Sequence, residues 1–248
     1  IGTANQQSGS WNIGLNYSGS YTLGDTIYAD MDGDGTQDTG EAGLVGVDVR
    51  LYLDVNGNGT VDGGDYLWGT DTTDADGKYG FSGLPEAAFI LVVDEGDVPA
   101  GFAASGDPDE DGVCLACDGR SVFTLTASRD DIDFGYAPTG SGRIGDTLFR
   151  DDNGNGIQGA FEDGIENVTI KLYADKDGDG TYETLLATDV TDADGQYLFT
   201  NLPDGKYKVE VDATDAQLPA DRTPSTATSH TLTLSGGVTT VFDGNATS

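Results

Sequence analysis

A chain of 248 residues is long enough for one large domain or two ordinary ones, each burying its own core. Its 44 Asp and Glu against 11 Lys and Arg leave a formal charge of −33, which argues against binding nucleic acid or an anionic membrane surface, since both need a basic patch. No apolar run approaches the roughly 20 residues of a membrane-spanning helix, so membrane insertion is not expected either.

Only eight of the acidic residues are Glu. The rest are Asp, set beside Gly and Asn as turn residues are, so the charge does not come from helix surfaces. Either the fold tolerates strong self-repulsion or cations neutralise it.

In chain order, residues 1–20 carry Trp11, Ile13, Leu15 and Tyr17 on alternate positions, the pattern of a strand. Asn12 to Leu15 sit in the same register as Asp133 to Tyr136, which close the next unit. This segment is therefore the end of a preceding module or a strand donated to a neighbouring molecule. Residues 21–139 then read as a first module. Leu23 to Tyr28 form a strand, and Val45, Val47, Val49, Leu51 and Leu53 alternate with Gly46, Asp48, Arg50 and Tyr52. Tyr66 to Thr72 are strand-like, Phe89 to Val93 read as a buried strand, and Val122 to Leu125 with Ile132, Phe134 and Tyr136 complete the unit.

From residue 142 the text repeats. At an offset of 121 residues Gly24-Asp25-Thr26-Ile27 falls on Gly145-Asp146-Thr147-Leu148, and Leu51-Tyr52 on Leu172-Tyr173. After a three-residue deletion, Thr73 to Tyr79 fall on Thr191 to Tyr197, and Leu84-Pro85 on Leu202-Pro203. Residues 142–248 are a second copy. With a period of two, frequent Gly and Asn, and some seven strands per copy, the expectation is all-β: two tandem β-sandwich modules.

Four loops carry the chemistry. Asp30-x-Asp32-x-Asp34-Gly35-Thr36-x-Asp38-x-x-Glu41 fits the twelve-position calcium loop in full. Alternate short oxygen side chains converge on a hard cation, the glycine at position six makes the turn, position seven lends a carbonyl, and the carboxylate at twelve closes the shell. Asp54, Asn56, Asn58, Thr60, Asp62 and Asp65 repeat the pattern. In the second copy Asp151, Asn153, Asn155, Ile157 and Glu162 do so with less charge, which predicts weaker binding. Asp175, Asp177, Asp179, Thr181 and Glu183 lack the closing carboxylate, because Leu186 stands at position twelve. The bland reading is that Asp, Asn and Gly merely form turns. Calcium is the expected cofactor, and it staples loops here, since the segments that follow are strands and not the helices of a sensor or a dockerin.

Elsewhere the chain offers little chemistry. A further acidic stretch, 107–118, brackets Cys114 and Cys117, and a local disulfide in an oxidising compartment is expected. The many carboxylates have no His, Ser or Cys constellation beside them, and the lone His230 lies in a Ser-His-Thr-Leu-Thr strand and reads as structural, so no catalytic centre is expected. Tyr66 and Trp68 could stack on a sugar, which keeps an adhesin or carbohydrate-binding module as the alternative.

The run from Gly24 through Asp30, Asp32, Asp34-Gly35, Gln37-Asp38, Glu41 and Gly43-Leu44 to Val47 resembles the opening of SdrD B-like (Cna B-type) repeats of bacterial surface proteins. Thr73-Asp74, Gly77, Tyr79, Phe81 and Leu84-Pro85 resemble that family's second signature, as do Thr191 to Pro203. The resemblance implies an immunoglobulin-like or prealbumin-like sandwich, calcium at the acidic loops, and a rod or stalk in an extracellular, cell-surface protein. The expected partners are calcium ions and adjacent modules or copies of itself, and a filament built by donating the strand of residues 1–20 is the sharper variant. The Lys–Asn isopeptide bond of many Cna B-type domains is not expected, because neither first strand carries a lysine.

Overall fold

The computed structural model describes residues 19–108, 117–218, 224, 226–236 and 239–241. The expectation placed on residues 1–20 therefore lies almost wholly outside the described residues.

The first module holds β1 (Tyr21–Ala29), β2 (Asp48–Leu53), β3 (Tyr66–Thr72), β4 (Lys78–Leu84), β5 (Ala87–Val93), β6 (Phe102–Gly106), β7 (Arg120–Leu125) and β8 (Phe134–Pro138). They form two four-stranded sheets, in the orders β4-β1-β8-β6 and β3-β2-β5-β7. The second module holds β9 (Gly142–Thr147), β10 (Thr169–Ala174), β11 (Thr184–Val190), β12 (Gln196–Leu202), β13 (Gly205–Val211), β14 (Ser229–Leu234) and β15 (Thr239–Val241). Its sheets run β12-β9-β15 and β11-β10-β13-β14. Most neighbours are antiparallel, but the last strand of each module runs parallel to its first: Ile27 faces Phe134 in one, and Ile144 faces Thr240 in the other.

The alternation in sequence becomes the core. Val49, Leu51 and Leu53 turn inward from β2, and Ile170, Leu172 and Ala174 do the same from β10. In the first module Phe89 and Leu91 join this core from the neighbouring β5, and Phe134 from the other sheet. Each of the larger of these side chains contributes about 1.5–3 kcal/mol by leaving water, and Ala174 less. β2 and β10 even share a register shift at the same place, Leu51/Tyr52 and Leu172/Tyr173.

The modules touch at a defined joint. The end of loop 30–41 lies along the outer edge of β11: the amide of Ala42 donates to the carbonyl of Leu186 at 3.3 Å, and the amide of Thr188 donates to that of Gly40 at 2.7 Å. In the linker, the Gly140 amide donates to the Asn201 carbonyl at 3.0 Å. From the second module, Lys176 Nζ reaches the carbonyls of Val45 and Gly46 at 3.3 and 3.1 Å. Gly40 is needed there: at φ +103° an added Cβ would lie 2.7 Å from the Thr188 carbonyl oxygen.

Candidate metal centres

Loop 30–41 leaves the sheet at the end of β1 and is organised around Asp30, which is wholly buried. Its Oδ1 accepts the amides of Gly33 and Asp34 at 2.7 and 3.2 Å, and its Oδ2 accepts that of Gly35 at 2.9 Å. From the far end of the loop, Glu41 folds back, accepting the amides of Met31 at 2.6 Å and Asp38 at 2.9 Å. Positions one and twelve thus lock the ring. This brings carboxylate oxygens of Asp30, Asp32 and Glu41 within 4.8 Å of one another, and those of Asp32, Asp34 and Asp38 likewise. Burial pushes the Glu41 carboxyl up, with Asp30 adding to the rise against the amide bonds. Desolvation and the charges of Asp34 and Asp30 raise Asp32 as well. The Thr36 hydroxyl and amide hold Asp34 below the usual range.

Loop 54–65 is the same ring with weaker charge. Asp54 accepts the amides of Gly57, Asn58 and Gly59 at 2.7, 3.3 and 2.9 Å. Asp65 does the work of Glu41, accepting from Val55 at 3.1 Å and Asp62 at 2.9 Å. The carboxamides of Asn56 and Asn58 both donate to Asp62 at 3.0 Å, and the Thr60 amide donates to Asn58. The Gly64 amide and these two Asn hold the Asp62 carboxyl low.

In the second module Asp151 accepts the amides of Gly154, Asn155 and Gly156 at 2.7, 3.1 and 2.8 Å, and the Ile157 amide donates to Asn155. Glu162, buried, accepts from the Gly159 amide at 2.8 Å and the Asn153 carboxamide at 2.8 Å. Neither 54–65 nor 151–162 gathers three carboxylates as 30–41 does, because Asn replaces Asp in each.

Loop 175–183 does gather three: Asp175, Asp177 and Asp179. The side chain of Asp175 has no exposed surface, and its Oδ1 is buried without a hydrogen-bond partner. Its Oδ2 takes the Gly180 amide at 3.2 Å and the ammonium of Lys206, from β13, at 2.9 Å. Lys206 holds the Asp175 carboxyl low. Thr181 donates its amide and hydroxyl to Asp179, and its hydroxyl also lies 2.8 Å from Glu183. Lys206 was missed by the sequence reading: it lies 31 residues from Asp175 and outside any loop pattern, so only the pairing of β10 with β13 reveals it.

Other sequence-level candidates resolve differently. Cys117 is disulfide-bonded. Residues 109–116 of the acidic stretch 107–118 lie outside the described residues, and Asp107 and Asp118 flank them with the Asp118 amide 3.4 Å from Asp107 Oδ2. Trp68 packs edge-on against Phe89 at 5.8 Å, which makes it part of the core, while Tyr66 beside it is 61% exposed. Loop 54–65 leads into β3, a strand, which removes the dockerin reading. Among the described residues no helix is long and apolar enough to cross a membrane.

Two β-sandwiches in series, each opened by an acidic ring at the end of its first strand, match a known domain. The model of the SdrD B-like domain fits residues 21–136 and again 142–240. The chain belongs to the SdrD B-like domain family. Serine-aspartate repeat-containing protein F of Staphylococcus epidermidis is 33% identical over 215 residues, covering 86% of this chain and 11% of that protein. Serine-aspartate repeat-containing protein D of Staphylococcus aureus (strain Newman) is 33% identical over 205 residues, covering 82% of this chain and 14% of that one. The chain thus spans only about a ninth to a seventh of the length of these relatives. Among solved structures, the shaft pilin SpaA from Lactobacillus rhamnosus GG overlays at a TM-score of 0.40 with 13% identity, over 90% of this chain and 96% of that one, a likeness that bears no weight here. Membership of the family places these SdrD B-like modules outside the cell, at a bacterial surface, as the sequence led us to expect.

Proposed function

We propose that this SdrD B-like pair is a calcium-stapled structural segment, a stalk or spacer, of a longer extracellular protein. The observation that carries the reading is the clustering of Asp30, Asp32 and Glu41, with Asp34 and Asp38 beside them, in a ring already closed by its own amides. Like charges held this close are costly unless a cation sits among them. The donor set is all oxygen, which suits calcium and not a softer metal. The buried, unpartnered Oδ1 of Asp175 supports the same reading in the second module.

On this reading Asp30, Asp32, Asp34, Asp38 and Glu41, with the Thr36 carbonyl, hold one ion. Asp54, Asn56, Asn58, Thr60, Asp62 and Asp65 hold another, as do Asp151, Asn153, Asn155, Ile157 and Glu162. Asp175, Asp177, Asp179, Thr181 and Glu183 form the last site, with Lys206 supplying part of the positive charge. Residues 21–139 and 142–248 are the two modules. No reaction is assigned. An ion that binds only the folded state stabilises it by mass action.

Thermal unfolding followed by circular dichroism, in millimolar calcium and then in excess EDTA, tests this. A melting point that falls by about 10 °C or more in EDTA is expected, given that a 2–3 kcal/mol loss shifts a domain of this size by several degrees per kcal/mol. Equal melts in the two buffers would leave the rings as turns.

A further inference from the structure

The repeat makes one module a template for reading the other. With the three-residue deletion, β3 of the first module is β11 of the second: Tyr66 corresponds to Thr184, Gly69 to Ala187 and Thr70 to Thr188. The register confirms it, since Gly69 faces Leu51 and Ala187 faces the equivalent Leu172. Both are edge strands of their sheets.

Their surroundings differ. Along β11 the first four residues are buried, half-buried, buried and buried; along β3 the matching four are exposed, exposed, half-buried and half-buried. Pro203, with Gly101 of the first module packed against it, is buried, while its counterpart Pro85 is half-buried. The second module is covered at these places by the first. On the first module the same places include Tyr66, 61% exposed, and Leu67, 45% exposed.

The approach to the first module also has the shape of the joint. Gly140 crosses the second module so closely that a Cβ would lie 2.0 Å from the Leu202 carbonyl oxygen. Gly19 crosses the first in the same way, 1.8 Å from the Leu84 oxygen. Asn201, whose carbonyl anchors the linker, has φ +61°, and Gly83 in its place has φ +71°.

We infer that the outer edge of β3, with Pro85, is a docking surface for a further SdrD B-like module, seated as the first module is seated on β11, and that this occupant carries glycine at the place of Gly40. The glycine requirement follows from the 2.7 Å approach of a Cβ there to the partner carbonyl. In a nearest-neighbour array each such joint fixes one angle of the rod. The second module itself does not meet the requirement: Phe161 stands where Gly40 does and is 93% exposed. One contact does not carry over, because Val55 occupies the place of Lys176. The inference does not rest on calcium.

The test is a three-module chain, residues 1–139 followed by residues 19–248, which reuses the native linker. The middle copy carries Thr72→Ser so that its peptides are distinguishable, and amide hydrogen exchange is read by mass spectrometry. The Thr70 amide of the middle copy is expected to exchange at least tenfold more slowly than that of the leading copy, as the Thr188 amide does behind its own joint. Gly40→Phe in the leading copy returns it to the unprotected rate. The same substitution in the native two-module chain exposes Thr188 while the Leu172 amide stays protected. Where Leu51 exchange shows that Phe unfolds the leading module, Gly40→Ala takes its place. Equal Thr70 rates in both copies, indifference to Gly40, or a Thr70 amide already protected in the native chain would overturn the inference.

Discussion

Loops 30–41 and 151–162 occupy the same place in the two modules and close the same three amides over their first carboxylate, yet they present different faces. In the first, Asp at positions three, five and nine gathers charge, and Gly40 at position eleven lets the loop lie on the next module. In the second, Asn153, Asn155 and Gly159 reduce that charge, and Phe161 projects into solvent. The backbone ring depends on Asp at one, Gly at six and a carboxylate at twelve. What the ring binds, and what it leans on, depends on the positions between. A conserved shape here therefore does not guarantee a conserved contact.

The sharpest way to break this comparison is to remove the first carboxylate from each ring. Asp30 is fully buried and holds three amides, so Asp30→Ala is expected to destabilise the first module by about 3 kcal/mol or more, the range for orphaning several buried partners of a charged acceptor. Asp151 is only half-buried, and Asp151→Ala is expected to cost about 1–2 kcal/mol. Urea unfolding in calcium, with Trp68 fluorescence reporting the first module, separates the two. Equal losses would mean that the rings contribute alike despite their different burial and charge.

Much of this was legible in the sequence, for physical reasons that can be named. Period-two alternation places Val49, Leu51, Ile170 and Leu172 in the core because a strand has no other way to bury them. The twelve-position spacing places Glu41 and Asp65 back over their loops because the glycine turn leaves them nowhere else to reach. Contacts between distant segments were not legible. The joint depends on Gly40 meeting Thr188, 148 residues away, and nothing local distinguishes that glycine from its neighbours. Lys206 escaped notice for the same reason: strand pairing, and not spacing, brings it to Asp175.

Lys206 sharpens the comparison at the second pair of loops. Its place in the first module is held by Ala88, so loop 54–65 has no resident cation there. Lys206→Met is expected to lower the urea midpoint of the second module in EDTA, because it strips a charge-assisted partner from Asp175. Calcium is expected to recover most of that loss. Isothermal calorimetry then shows tighter calcium binding at 175–183, since the ion no longer competes with an ammonium; unchanged affinity would mean that the lysine and the ion use different faces of Asp175.

A smaller effect attaches to Phe161. Its side chain is 93% exposed, so Phe161→Ser is expected to shift the stability of the second module by no more than about 0.5 kcal/mol. A larger drop in urea unfolding would show that the ring packs on this residue and that the contrast with Gly40 is not one of docking alone.

The smallest expected difference lies at a pair the two copies solve with different cations. Arg50 reaches Asp94 at 2.7 Å, and in the corresponding place Lys171 reaches Asp212 at 2.8 Å. Each cation holds its carboxyl below the ordinary aspartate range, Asp94 chiefly through the Arg50 hydrogen bond and Asp212 through Lys171 with help from Thr214. A carboxyl whose folded pKa is depressed contributes stability that is fully present above its unfolded pKa of about 4 and is lost as pH falls through the folded value. Both pairs therefore favour the fold at neutral pH and fade only in acid, and their exposure makes them sensitive to salt. Asp94→Asn and Asp212→Asn are expected to flatten the stability profile below about pH 4 while leaving its neutral plateau nearly unchanged in high salt. The guanidinium can offer a planar fork where the ammonium offers a point charge, so the Arg50 pair is expected to resist salt better. Urea midpoints measured across pH 2–6 at two ionic strengths would show it, and identical salt responses would mean that the two cations are interchangeable at this site.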